Sequence, residues 1–141
     1  MLSVIVCSHS CLALGIKKSA EMILGKQSNF FSLGFKEGED FFAYKEKICK
    51  IAKREFKAGN KVCCLTDLPN ATPFNCCVLA LSEFEEDCKI VSGVSLPMVL
   101  ELLLKRETTN NYDEVLNSSI EAAKQGLWLT SVKEFTAQEG K

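Results

Sequence analysis

Short runs rich in β-branched and aromatic residues alternate with longer stretches of helical period, and this alternation most restricts what the chain can fold into. The runs are SVIVC, NFFSLGF, KVCCLT and CKIVSGV. Between the first two, Leu12, Ile16, Ala20 and Ile23 or Leu24 recur at helical spacing, and Gly25 stands where a helix would stop. Between the second and third, Phe41, Ile48, Ala52 and Phe56 mark another helical face, begun at GED and ended at AGN. After the third run, DLPNATP is a loop of turn residues and FNCCVLALSEF a short buried helix. LPMVLELLLKR and DEVLNSSIEAAKQG then predict two helices, LWLTSV a last short strand, and AQEGK a frayed end. The whole predicts an α/β fold of three α/β/α layers around a mainly parallel sheet of four strands.

A chain of 141 residues with 47% hydrophobic content can fill one sizeable core, so residues 1–141 are read as a single domain. Lys plus Arg number 17 against 18 for Asp plus Glu, which supplies no electrostatic reason to bind nucleic acid or an anionic membrane. LSVIV has no basic residue before it and meets Cys, Ser and His too soon for a signal-peptide core. No stretch approaches the roughly 20 apolar residues of a spanning helix, and the expected location is cytoplasmic. The eight cysteines include no C-x-x-C pair; Cys7, Cys63 and Cys64 read as small hydrophobes in a reducing compartment, with no metal site expected.

In such sheets function collects at the carboxyl ends of the strands. That places His9, the sole histidine, just after the first strand and Asp67 just after the third. A carboxylate that holds one ring nitrogen's proton leaves the other nitrogen free to attack, so the two residues form one candidate site. Cys7, His9 and Cys11 would share a face if the strand continued, but a helix begins near Cys11 and no fourth ligand is obvious, so these cysteines are assigned to packing. Phe30, Phe31, Phe41 and Phe42 read as core and helix–sheet contacts, while Trp128 either anchors a dimer or closes the core.

Taken in order, VCSHSCLALGIKKSAEMILGKQ, LGFKEGED, LTDLPNATPFN and VSGVSLPMVLELLLKR resemble the IIA domain of the mannose/fructose/sorbose family of the bacterial sugar phosphotransferase system (PTS), over roughly residues 1–128. The resemblance implies that His9 accepts a phosphoryl group from phospho-HPr and passes it to a IIB component, with Asp67 orienting the ring. It implies phosphate contacts from Ser10, Ala71 and Thr72, no cofactor, and membrane IIC and IID components served indirectly. It also implies a homodimer in which the C-terminal strand, here LWLTSV, is exchanged between subunits. The departures fall in the site: Ser10 replaces a glycine after the histidine, and Pro69, Asn70, Ala71 and Thr72 stand where the family has a glycine-rich stretch before PFN. Asn tolerates the left-handed conformation, and Thr72 keeps a hydroxyl. Two alternatives follow, a non-catalytic IIA-like binding module and a phosphoryl donor subunit of a dihydroxyacetone kinase, whose branch often reads SHS. A third rival is a metal- or redox-sensing cysteine protein.

Overall fold

The computed structural model describes residues 1–139. Strands β1 (Leu2–His9), β2 (Phe30–Phe35), β3 (Lys61–Thr66) and β4 (Lys89–Ser92) form one parallel sheet in the order β2-β1-β3-β4. Helices α1 (Leu12–Leu24), α4 (Leu96–Lys105) and α5 (Tyr112–Gln125) cover one face, and α2 (Phe41–Lys57) and α3 (Thr72–Leu81) the other. The expected α/β/α layering and parallel sheet are therefore present.

β1 runs through the middle, and every residue from Leu2 to Ser8 is at most 2% exposed. Its side chains alternate between two cores, as strand geometry dictates. Leu2, Val4 and Val6 pack with Ile16, Val99, Leu102 and Val115, while Ile5 and Cys7 pack with Tyr44, Ile48, Cys77 and Ala80. Burial of each large aliphatic contributes about 1.5–3 kcal/mol, so a one-residue slip of β1 would exchange both faces and is strongly disfavoured. The register therefore delivers His9 to the carboxyl edge.

Helix starts are set by side-chain caps. Asp40 accepts from the Ala43 N–H at 2.9 Å, Asn111 from Glu114 at 3.2 Å and Ser95 from Met98 at 3.4 Å. α1 is capped from the preceding strand instead: the buried Ser8 hydroxyl accepts from the Ala13 N–H at 2.7 Å. This bond turns Ala13 toward the sheet, and the buried stripe of α1 is Ala13, Ile16 and Ala20, with Leu24 packed alongside. Leu12 and Ile23, expected on that stripe, are 48% and 57% exposed.

Phe30, Phe31 and Phe41 pack in the core as expected, but Phe42 is exposed, edge-on to Phe41, which takes the inward place. At the amino edge of the sheet, Arg106 Nη1 donates to the carbonyls of Leu2 and Asn29 and Nη2 to that of Ser28. Nearby, the Glu55 carboxylate accepts from Ser3 and Asn29.

The C-terminal segment departs from expectation. Residues 127–131 have no regular structure, and α6 (Val132–Glu139) follows, so LWLTSV is not a strand within this chain. A strand needs a hydrogen-bonded neighbour, and this segment pairs with no strand among the described residues. Trp128 does not close the core, since Leu127, Trp128 and Leu129 are 82%, 70% and 98% exposed. Of the expected frayed end, Ala137–Glu139 lie in α6 and the last two residues lie outside the described residues. No described helix is long and apolar enough to cross a membrane.

Candidate functional site

His9 ends β1 with its side chain 46% exposed, and Asp67 follows β3, β1's neighbour in the sheet. One carboxylate oxygen, Oδ2 of Asp67, accepts the main-chain N–H of His9 at 2.9 Å and lies 2.8 Å from ring Nδ1. The other oxygen, Oδ1, accepts the Leu68 N–H at 3.0 Å. Strand and ring are thus gripped by one group. Burial alone would raise the Asp67 pKa, but the His9 main-chain and ring contacts, with that of Leu68, outweigh it and hold the carboxyl below its ordinary value. An ionised Asp67 favours the tautomer with a proton on Nδ1. Nε2 is then a lone-pair nitrogen, and no described residue hydrogen-bonds it.

The turn after His9 is held by its backbone. Ser10 adopts φ 51°, the left-handed region, and its N–H donates to the Phe35 carbonyl at 2.8 Å across to β2. Its own carbonyl lies over Gly34, where a Cβ would come within 2.0 Å of the Ser10 oxygen. Only glycine at position 34 lets the turn pass so close. Ser10 therefore occupies a glycine-like conformation and transfers the steric demand to β2.

The loop from Asp67 to α3 shows how the chain manages without consecutive glycines. Asn70 carries the positive φ, 61°, while Ala71 is extended at φ −93° and ψ 177° and serves as N-cap of α3. Pro73 sits in the first turn, and no side chain among the described residues caps the helix, so its leading N–H groups have no capping acceptor there. The helix dipole adds positive potential there. No hydrogen bond joins Ala71 or Thr72 to His9 among the described residues. The structure brings His9 and Asp67 into direct contact, sets Ser10 beside them, and places Ala71 and Thr72 on the loop that Asp67 opens.

Two residues of this region were not singled out in the sequence. Gly34 carries a readable signal, since a glycine inside a strand marks close backbone approach. Thr66 carries none: its hydroxyl is fully buried without a hydrogen-bond partner among the described residues, at the end of β3 beside Asp67. The Cys7, His9 and Cys11 alignment does not form, because β1 ends at His9, leaving Cys7 in the core and Cys11 exposed before α1.

A half-exposed imidazole with Nδ1 held by a carboxylate therefore stands at the carboxyl edge of a parallel α/β sheet. Residues 3–120 match the family EIIA-man, described as PTS system fructose IIA component, and the chain belongs to that family. It is 31% identical over 107 residues to the PTS system fructose-specific EIIA component of Bacillus subtilis, covering 76% of this chain and 72% of that protein. It is 28% identical over 127 residues to the PTS system mannose-specific EIIAB component of Escherichia coli (strain K12), covering 89% of this chain but only 38% of that protein. The crystal structure of phosphotransferase system component EIIA from Streptococcus agalactiae superposes with a TM-score of 0.79 at 26% identity, covering 92% of this chain and 97% of that one.

Proposed function

We propose that this IIA component is a cytoplasmic phosphocarrier, a single domain in which His9 accepts a phosphoryl group from phospho-HPr and delivers it to a IIB component for sugar uptake. The observation that carries the reading is the pairing of His9 Nδ1 with Asp67 at 2.8 Å on a ring 46% exposed. In the transfer, the lone pair of Nε2 forms a P–N bond as the donor histidine's P–N bond breaks. The proton on Nδ1 stays in place, and the positive charge that develops on the ring is stabilised by the Asp67 carboxylate. A loose phosphoryl transition state asks mainly for alignment and for donors to the equatorial oxygens. Backbone N–H groups at Ala71 and Thr72, the Thr72 hydroxyl and Ser10 supply them. The return step to IIB uses the same groups in reverse, and IIC and IID are served only through IIB.

A homodimer assembled through residues 127–132 accompanies this reading, supported by the exposure of Leu127, Trp128 and Leu129. Incubation with phosphoenolpyruvate, enzyme I and HPr should add the mass of one phosphoryl group, as an acid-labile, base-stable adduct. His9→Ala should stay folded and gain nothing. Phosphorylation of the alanine variant overturns the assignment, and an inert wild type reduces the protein to a binding module.

A further inference from the structure

We propose that Cys7, Cys64 and Cys77 form a buried binding site for a single soft, low-coordinate metal ion of the monovalent copper class. The three thiols come from β1, β3 and α3, and their sulfur atoms all lie within 4.8 Å of one another. All three residues are 0% exposed.

Two other thiols on this side of the sheet behave differently. Cys76 Sγ lies 3.6 Å from the Phe41 carbonyl, and Cys49 Sγ lies near both the Ala80 carbonyl and the Glu83 carboxylate. Each has an oxygen acceptor for its S–H. No such oxygen partner is found for Cys64 or Cys77 among the described residues, while Cys7 lies within hydrogen-bond reach of the Tyr44 hydroxyl, whose own proton goes to the Leu33 carbonyl. These three sulfurs are left facing one another.

Geometry and ligand type select the occupant. A planar three-coordinate ion with metal–thiolate bonds of about 2.3 Å sets its sulfurs about 4 Å apart, so closure from 4.8 Å requires a contraction under about 1 Å. An all-sulfur set excludes hard cations such as magnesium and calcium. Structural zinc takes four ligands, and the cluster offers three. Monovalent copper accepts soft donors in low coordination number. Each thiol that binds as thiolate releases one proton: one release leaves a neutral cluster, three leave two negative charges. Burial favours the neutral limit. Cys7 lies two residues before His9, and Cys77 lies on the helix that begins at Thr72, so a bound ion would tie together the elements beneath the site.

The test uses the full-length chain, reduced and without oxygen, titrated with monovalent copper against a competing chelator such as bicinchoninate. One ion per chain is expected, with proton release on binding and three sulfur neighbours at about 2.3 Å in X-ray absorption. Cys64→Ser and Cys77→Ser, checked for fold by circular dichroism, should lose that ion to the chelator. Cys63→Ser changes the adjacent residue of β3, which packs on the opposite face of the sheet, and should bind as wild type does. Failure of the wild type to compete with the chelator overturns the site, as does retention by folded Cys64→Ser. An absorption spectrum with nitrogen or oxygen ligands, or with two sulfurs, overturns it without any variant.

Discussion

The two ends of the sheet handle charge in opposite ways. At the amino edge, Arg106 and Glu55 are 4% and 6% exposed and bond to Leu2, Ser28, Asn29 and Ser3, while the guanidinium Nε lies 3.8 Å from the Glu107 carboxylate. At the carboxyl edge, Asp67 is fully engaged, but the His9 ring stands half in solvent with one nitrogen unspent. A buried ionised group is tolerated only when satisfied, so near-complete pairing at the amino edge serves the fold. Under the proposed function, the groups left incomplete beside the exposed ring serve a molecule that arrives later. Substitutions at the carboxyl edge should therefore reach transfer more than stability, and those at the amino edge the reverse.

The largest effect should come from Asp67→Asn. The amide cannot stabilise the developing imidazolium, and single-turnover transfer from phospho-HPr should slow by roughly a hundredfold or more, about 3 kcal/mol of barrier. Transfer as fast as wild type would break the comparison at its active end. The same variant has a stability signature. Because the folded pKa of Asp67 is lowered, its contribution is present above the ordinary carboxylate value and lost as pH falls through the lowered one. Denaturation curves below about pH 4 should fall more steeply for wild type than for Asp67→Asn.

Next in size is Arg106→Met, which keeps the apolar stem but removes the guanidinium donor from the Leu2, Ser28 and Asn29 carbonyls, of which that of Asn29 keeps the Val4 N–H. At about 1–3 kcal/mol for each buried unsatisfied group, softened by water entry, a loss of about 3 kcal/mol is expected in denaturant midpoints. Transfer by the folded fraction should be unchanged. A variant that is stable but slow would move the boundary between the two ends. The smallest effect belongs to Asn70→Gly with Ala71→Gly. Asn70 already holds the positive φ and Ala71 is extended, so the rate should shift by less than about tenfold, roughly 1.4 kcal/mol. A silent wild type activated by these glycines would make the loop the missing part of the site.

What the sequence discloses follows from how local each determinant is. β1 and β3 are legible because their apolar runs answer to burial on both faces, and α2 because Asp40 and the AGN end punctuate it. The pairing of His9 with Asp67 is legible because adjacent parallel strands deliver their ends to one edge. The phase of α1 is not, since it depends on a hydroxyl in the preceding strand. LWLTSV has the composition of a strand, but composition cannot supply a neighbour to bond with. The orphan Thr66 hydroxyl and the convergence of Cys7, Cys64 and Cys77 depend on residues far apart in the chain, and no spacing rule reports them.

The contact between Gly34 and the Ser10 carbonyl divides tolerance to change unevenly between two positions that look equally small. Position 10 can drift among residues that accept a left-handed backbone, such as Asn, Asp or Gly, with modest penalty. Position 34 has no such freedom, because the obstacle is main chain and cannot rotate away as a side chain would. A library randomised at both sites and selected for a folded chain should return a varied tenth residue and an invariant thirty-fourth. Drift at the first is possible only while the second stands still.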